Sequence, residues 1–157
     1  MWKKVRPYIV SVAIALGVGA LAAFLTRNSM DIYSEIVNPP LAPPGILFPI
    51  VWSVLYVLMG VSSANVYVNR NKDFRTAGSA LTVYAVNLIM NFTWSIIFFG
   101  LRAFLGAFIW LVILLAVIIT MIVFFRKISP LAAYLQVPYA LWVTFAGYLN
   151  LAIWILN

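Results

Sequence analysis

An all-α membrane protein, a bundle of five transmembrane helices, is the fold class this sequence predicts, and three observations carry it. Of 157 residues, 66% are apolar and 8% charged, with a mean hydropathy of +1.08. An ordinary soluble domain has about 45–50% apolar and about 25% charged residues. So small a body has too little polar surface to hide that excess, which must face lipid. Second, five stretches reach the length of about 20 apolar residues that a helix needs to span the hydrocarbon core, at about 8–25, 46–68, 77–99, 104–125 and 131–156. Third, every Asp, Glu, Lys and Arg falls outside these stretches. The whole chain, 1–157, reads as one membrane domain.

The first span follows Lys3, Lys4 and Arg6, and Ala20-Leu21-Ala22 near its end imitates a secretory cleavage site. The expectation is a retained span. Ala15, Gly19 and Ala23 recur every four residues, giving one face small enough for another helix, internal or from a second subunit, to approach closely. Residues 26–45 form a connection too long to be a plain turn. Pro39, Pro40, Pro43 and Pro44 stiffen it, and Tyr33, Ile36 and Leu41 offer apolar groups with which it can pack as a lid. The other connections are short, which predicts antiparallel neighbours.

In the second span Phe48, Trp52 and Tyr56 stand at i, i+4 and i+8 as an aromatic stripe. The third carries Asn87 and Asn91 on one face with Trp94 a turn further on. Spacing alone favours amide bonds between helices, worth about 0.6 kcal/mol each on average. The fifth repeats the pattern with Trp142, Ala146 and Asn150 on one face and Leu149 beside it. Such stripes are packing in most proteins, but Trp52 and Trp142 lie too far inside their spans for an interfacial belt, where an indole N–H needs a partner or a ligand. Pro49 and Pro138 inside these spans predict either simple kinks or cavity-lining bends, whereas Pro130 reads as a helix start.

Charge sets an expected topology. Lys3, Lys4, Arg6, Arg70, Lys72, Arg75, Arg126 and Lys127 share one side, while only Arg27 and Arg102 lie on the other. This places the N-terminus in the cytoplasm and the C-terminus and lid outside a cell membrane. The net charge of +7 is thereby topological, and no nucleic-acid partner is expected from basic residues scattered over short loops. With no Cys, no His and only Asp31, Glu35 and Asp73 as acids, neither a metal centre nor paired-carboxylate hydrolysis is expected. The residues describe a metal-free, aromatic-lined pocket beneath a proline-rich loop, suited to a flat apolar ligand. No carboxylate, lysine or arginine stands inside a span to serve a proton relay or ion pathway, which weighs against a proton-coupled transporter.

The run from Asn38 to Gly60, NPPLAPPGILFPIVWSVLYVLMG, resembles the first loop and second helix of the TspO/MBR family, the tryptophan-rich sensory proteins, called translocator protein or peripheral-type benzodiazepine receptor in animals. Asn91-Phe-Thr-Trp94 with Phe98-Phe99-Gly100, Val137-Pro-Tyr139 with Trp142, and Leu149-Asn150 are similar to further segments of that family. The resemblance covers about residues 33–150. It implies a five-helix bundle, commonly a homodimer, that binds porphyrins and benzodiazepine-type ligands in a cavity beneath the first loop. Carried over by position, Tyr33 and Pro43 form the lid, and Phe48, Trp52 and Tyr56 line the pocket from span two. Asn91, Trp94 and Phe98 do so from span three, and Trp142, Ala146, Leu149 and Asn150 from span five. Leu41 stands where relatives usually carry Trp, which implies a weaker grip of the lid. Phe98 replaces a residue that is polar in some relatives, shifting preference toward apolar ligands. Residues 151–157 lack the Tyr and basic residue of sterol-binding members.

The function the resemblance implies is a receptor or sensor for a tetrapyrrole such as protoporphyrin IX, with no required cofactor. Some bacterial members are reported to degrade protoporphyrin in light, with tryptophans matching Trp52 and Trp142 implicated. A light- and oxygen-dependent porphyrin-degrading enzyme and a transporter of such ligands are therefore the alternatives.

Overall fold

A computed structural model describes residues 2–157, and no strand occurs among the described residues. Seven α-helices follow in chain order: α1 (Trp2–Thr26), α2 (Ile32–Glu35), α3 (Leu47–Val68), α4 (Phe74–Ser95), α5 (Phe104–Ile128), α6 (Pro130–Tyr134) and α7 (Val137–Leu156). Five helical segments are long and apolar enough to cross a membrane, the third being α4 with its extension to Gly100 and the fifth α6 with α7. The five-helix expectation is met.

Helix boundaries differ from the sequence expectation where proline is involved. The first span begins at Trp2 rather than Tyr8 and carries Pro7 within it. Its 25 residues measure about 37 Å, more than the roughly 30 Å hydrocarbon core, so its basic N-terminal turns lie beyond the lipid tails. Pro49 falls in the first turn of α3, where backbone N–H groups have no intrahelical acceptor, and removes no hydrogen bond. Pro138 likewise sits in the first turn of α7. These prolines thus open helices rather than kink them: Pro138 has no N–H to give the Tyr134 carbonyl and its ring crowds that group, so the helical run from α6 is interrupted at Leu135–Gln136, while Pro49 lines the bundle's internal cavity. Pro130 opens α6 as expected, with the Ser129 hydroxyl accepting from Ala132 N. Asp73 caps α4 by accepting from Thr76 N at 3.0 Å, and the hydrogen bonds from Thr76 hold its carboxyl below the usual carboxylate range. At its far end α4 continues into one wide π-helical turn, Ile96–Gly100.

Small residues decide how α1 docks. A Cβ on Gly60 of α3 would lie 2.5 Å from the Val12 Cα, and one on Gly19 would lie 2.3 Å from the Tyr56 ring. Ala15 is fully buried in the same seam. The partner of the small face of α1 is therefore internal, helix α3. On the other side α5 packs against α4 and α7 through a strip spaced three or four residues apart, Ala107, Leu111, Leu114, Ile118, Met121 and Phe125.

Two distinct ends result. At one, Asn65 donates to the Tyr8 hydroxyl at 3.5 Å and Lys72 Nζ to the Ile128 carbonyl at 3.4 Å, which gathers the basic N-terminus and the α3–α4 and α5–α6 connections. At the other lie the 26–45 connection and the C-terminus. Here Asn157 bonds both the N–H (2.9 Å) and the carbonyl (3.2 Å) of Val37, and Tyr148 donates to the Pro40 carbonyl at 2.8 Å. Arg102, in left-handed backbone (φ 52°), pairs with Glu35 at 3.1 Å. Leu41 does not pack as the lid expectation had it. Its backbone is left-handed (φ 67°) and its side chain 83% exposed. Ile32, fully buried, and Ile36 anchor the segment instead.

Candidate functional site

Beneath this segment lies a cavity of about 530 Å³, within the range of small-molecule sites. Helices α1, α3, α4 and α7 form its walls and α5 contributes none. From α3, the helical repeat directs Phe48, Trp52 and Tyr56 inward. From α4 come Asn91 and Trp94, and the wide turn that follows presents both Phe98 and Phe99. Helix α7 supplies Trp142, Ala146, Leu149 and Asn150, while Tyr33 closes the top.

The rings form two sets. Trp52 stacks on Trp94 (6.1 Å, 30°) and Trp94 on Phe98 (5.6 Å, 25°), a ladder across α3 and α4. Nearer the lid, Tyr33 meets Phe48 edge-on (5.1 Å), Phe48 meets Trp142 (5.9 Å), and Trp142 meets Phe145 (5.6 Å).

A polar chain floors the cavity. Tyr56 Oη donates to Asn91 Oδ1 (3.1 Å), Asn91 Nδ2 donates to Tyr139 Oη (2.8 Å), and Tyr139 Oη donates to Asn87 Oδ1 (2.8 Å). Trp94 Nε1 donates to Asn150 Oδ1 (3.3 Å), whose amide donates to the Ala146 carbonyl. The amide-bond reading of span three therefore holds for Asn87, which lies outside the cavity, whereas Asn91 both bonds and lines it. Trp142 Nε1 is buried and finds no partner among the described residues.

Every residue expected at the pocket lines this cavity except Pro43, which contributes its carbonyl as acceptor for the Tyr33 hydroxyl at 3.4 Å. Sequence reasoning missed the α1 wall, made of Leu16, Gly19, Ala20, Ala22, Ala23 and Thr26 with Met30 beyond it. The small-residue face was its signal, read for helix contact alone. It also missed Tyr139 as the hub of the polar floor. No charged side chain lines the cavity among the described residues. Burial raises the Tyr33 hydroxyl above the ordinary tyrosine range, so the lid ring stays neutral. Such a site can hold a flat apolar body between aromatic faces and offers it few polar anchors.

A multi-span helical membrane protein with a lidded, uncharged internal cavity is the class these features define. The chain belongs to the TspO/MBR family, which matches residues 10–155. It is 33% identical over 158 residues to the tryptophan-rich protein TspO of Chlorobaculum tepidum, covering 100% of this chain and 99% of that one. It is 36% identical to protein CrtK of Rhodobacter capsulatus, over 96% of this chain and 90% of the relative. Similarity extends to the human translocator protein, at 30% identity over 92% and 85% of the two chains.

Proposed function

We propose that this protein is a receptor or sensor that binds a flat tetrapyrrole such as protoporphyrin IX, in one membrane domain covering 1–157. The observation that carries this reading is the cavity of about 530 Å³, uncharged throughout its lining, with aromatic rings on its α3, α4 and α7 walls and the fastened lid as its roof. Apolar burial supplies the affinity, at about 25 cal/mol for each Å² removed from water, and stacking on Trp52, Trp94 and Phe98 supplies orientation. The basic end faces the cytoplasm of a cell membrane and the lid and C-terminus face outward, on the distribution of Lys and Arg. A homodimer, implied by the family resemblance, is part of this reading.

A second reading, light-dependent degradation of the bound porphyrin, is favoured by one observation. Trp52 and Trp142 both line the cavity, so either indole stands within reach of an excited ligand. Transport of the same ligands is a third reading, and the name of the animal relatives supports it.

Titrating protoporphyrin into the purified protein, with absorbance followed in the dark and under illumination, separates these readings. The receptor reading expects saturable, reversible binding without loss of porphyrin. Trp52→Phe and Trp142→Phe should each weaken binding by about 0.5–1.5 kcal/mol, and Trp154→Phe, near the end of α7 and outside the cavity, should not. Absence of saturable binding, or an equal effect of Trp154→Phe, overturns it. A protein-dependent product that appears in light and is lost in the two cavity variants hands the site to the enzyme reading.

A further inference from the structure

We propose that the cavity is loaded sideways from the bilayer, through the seam between α3 and α7, with the Trp142 indole as the door. This rests on the ligand reading above and adds the route to it.

A second hollow, about 480 Å³, opens on the outer face of the bundle between these helices. Val51, Val54, Leu55 and Leu58 of α3 and Leu141 and Phe145 of α7 line it, and its walls are apolar throughout. It lies within two membrane-spanning segments, so what reaches it is dissolved in lipid. Among the described residues, Trp142 alone borders both the outer hollow and the inner cavity.

Trp142 is also an indole that no hydrogen bond ties in place. Trp94 is held by the bond to Asn150 Oδ1 and Trp110 by a 2.8 Å bond to the Met90 carbonyl. The Trp142 N–H has no partner, and its neighbours are the rings of Phe48 and Phe145, met at 67° and 53°. Turning this side chain exchanges one apolar contact for another and breaks no hydrogen bond, a loss that a bonded indole such as Trp94 or Trp110 would incur. The helices leave room for the motion, since α3 packs its backbone closely against α1 and α7 against α5, and α3 and α7 meet each other through rings, Phe48 on Trp142 and Trp52 on Tyr139.

The aqueous end offers the harder path. There the lid is fastened at three separate points, by Asn157 to Val37, Tyr148 to Pro40 and Arg102 to Glu35. All three must part before the roof lifts. A flat apolar ligand that dissolves in the bilayer meets the outer hollow first and needs only Trp142 to turn.

The test uses the full chain in liposomes with protoporphyrin as the probe, reading association and dissociation rates by stopped-flow fluorescence. Val54→Trp and Leu141→Trp fill the outer hollow from positions 54% and 67% exposed, without touching the cavity. Each should slow association and dissociation together, by roughly five-fold or more, and leave the equilibrium affinity within about two-fold. Asn157→Ala, which frees the lid from the C-terminus, should leave association within about two-fold. Unchanged association in both groove variants, or faster association in Asn157→Ala, overturns the proposal in favour of the lid route. A second measurement needs no porphyrin: in liposomes of lipid brominated on the acyl chains, the emission lost in Trp142→Phe should be strongly quenched in the unmodified protein. Should protoporphyrin not bind at all, the ligand reading falls while this quenching still decides whether the door faces lipid. Absence of quenching overturns the lateral route with or without porphyrin, and would mean that a second copy covers the seam.

Discussion

Helix α3 has two flanks that solve opposite problems. Against α1 it closes completely: Gly60 lets the Val12 backbone come so near that a methyl group would stand 2.5 Å from its Cα, and Gly19 receives the Tyr56 ring. Against α7 it stays open, wedged by Phe48, Trp142 and Phe145, with the cavity inside and an apolar hollow outside. In lipid the hydrophobic effect does not press helices together, so closeness has to come from surfaces that fit. Glycine on one flank supplies that fit and large rings on the other withhold it. The lesson is that the site is a packing defect maintained by large side chains, made tolerable by the tight seam beside it.

This contrast can be broken from the closed side. Gly60→Ala places a methyl group against backbone, which cannot rotate away, and should cost about 3 kcal/mol, the upper end of overpacking penalties. Thermal unfolding in detergent measures it, and an unchanged midpoint would show that the seam yields. Gly19→Ala is the milder version, because the obstacle is a ring. Tyr56 should swing aside and give up its 3.1 Å bond to Asn91, lowering stability by about 1–2 kcal/mol. Since Tyr56 also lines the cavity, porphyrin affinity should fall with it, whereas Gly60→Ala should affect binding only through stability. The smallest effect has the opposite sign. Gly147 of α7 is helical, and a Cβ there meets nothing within 4 Å. Gly147→Ala should therefore stabilise by about 0.5–1 kcal/mol through helix propensity. A loss of stability at this position would show that the α7 side is as tightly filled as the α1 side.

The extent to which the site was legible follows from how far each signal reaches along the chain. Phe48, Trp52 and Tyr56 belong to one helix, and a repeat of four residues puts them on one face whatever surrounds that helix. The same holds for Trp142, Ala146 and Asn150. Both stripes do line the cavity. The α1 wall carries only the small-residue face of Gly19 and Ala23, which marks a close approach without saying whether a helix or a cavity meets it, and Leu16, Ala20 and Thr26 gain their meaning only from the neighbour they are placed beside. Tyr139 is a hub because Asn87 and Asn91 of another helix converge on it, and nothing local announces that. Pro43 carries the opposite error: its rigidity was legible, but its ring lies outside the cavity and only its carbonyl is used.

What the sequence by itself determined is therefore everything set by composition and by contacts within a single helix. That comprises the five spans, the clustering of basic residues toward one end, the inward stripes and a proline-stiffened connection long enough to cover a site. The backbone must satisfy its hydrogen bonds within each span, so these features follow without knowledge of the neighbours. Tertiary structure alone decided which helix the small face of α1 meets, that Pro49 and Pro138 begin helices rather than bend them, and that Leu41 turns outward. It also decided that Trp94 is bonded while Trp142 is not. Each of these depends on the distance between groups far apart in the chain, and packing, which has no fixed period along a sequence, sets that distance.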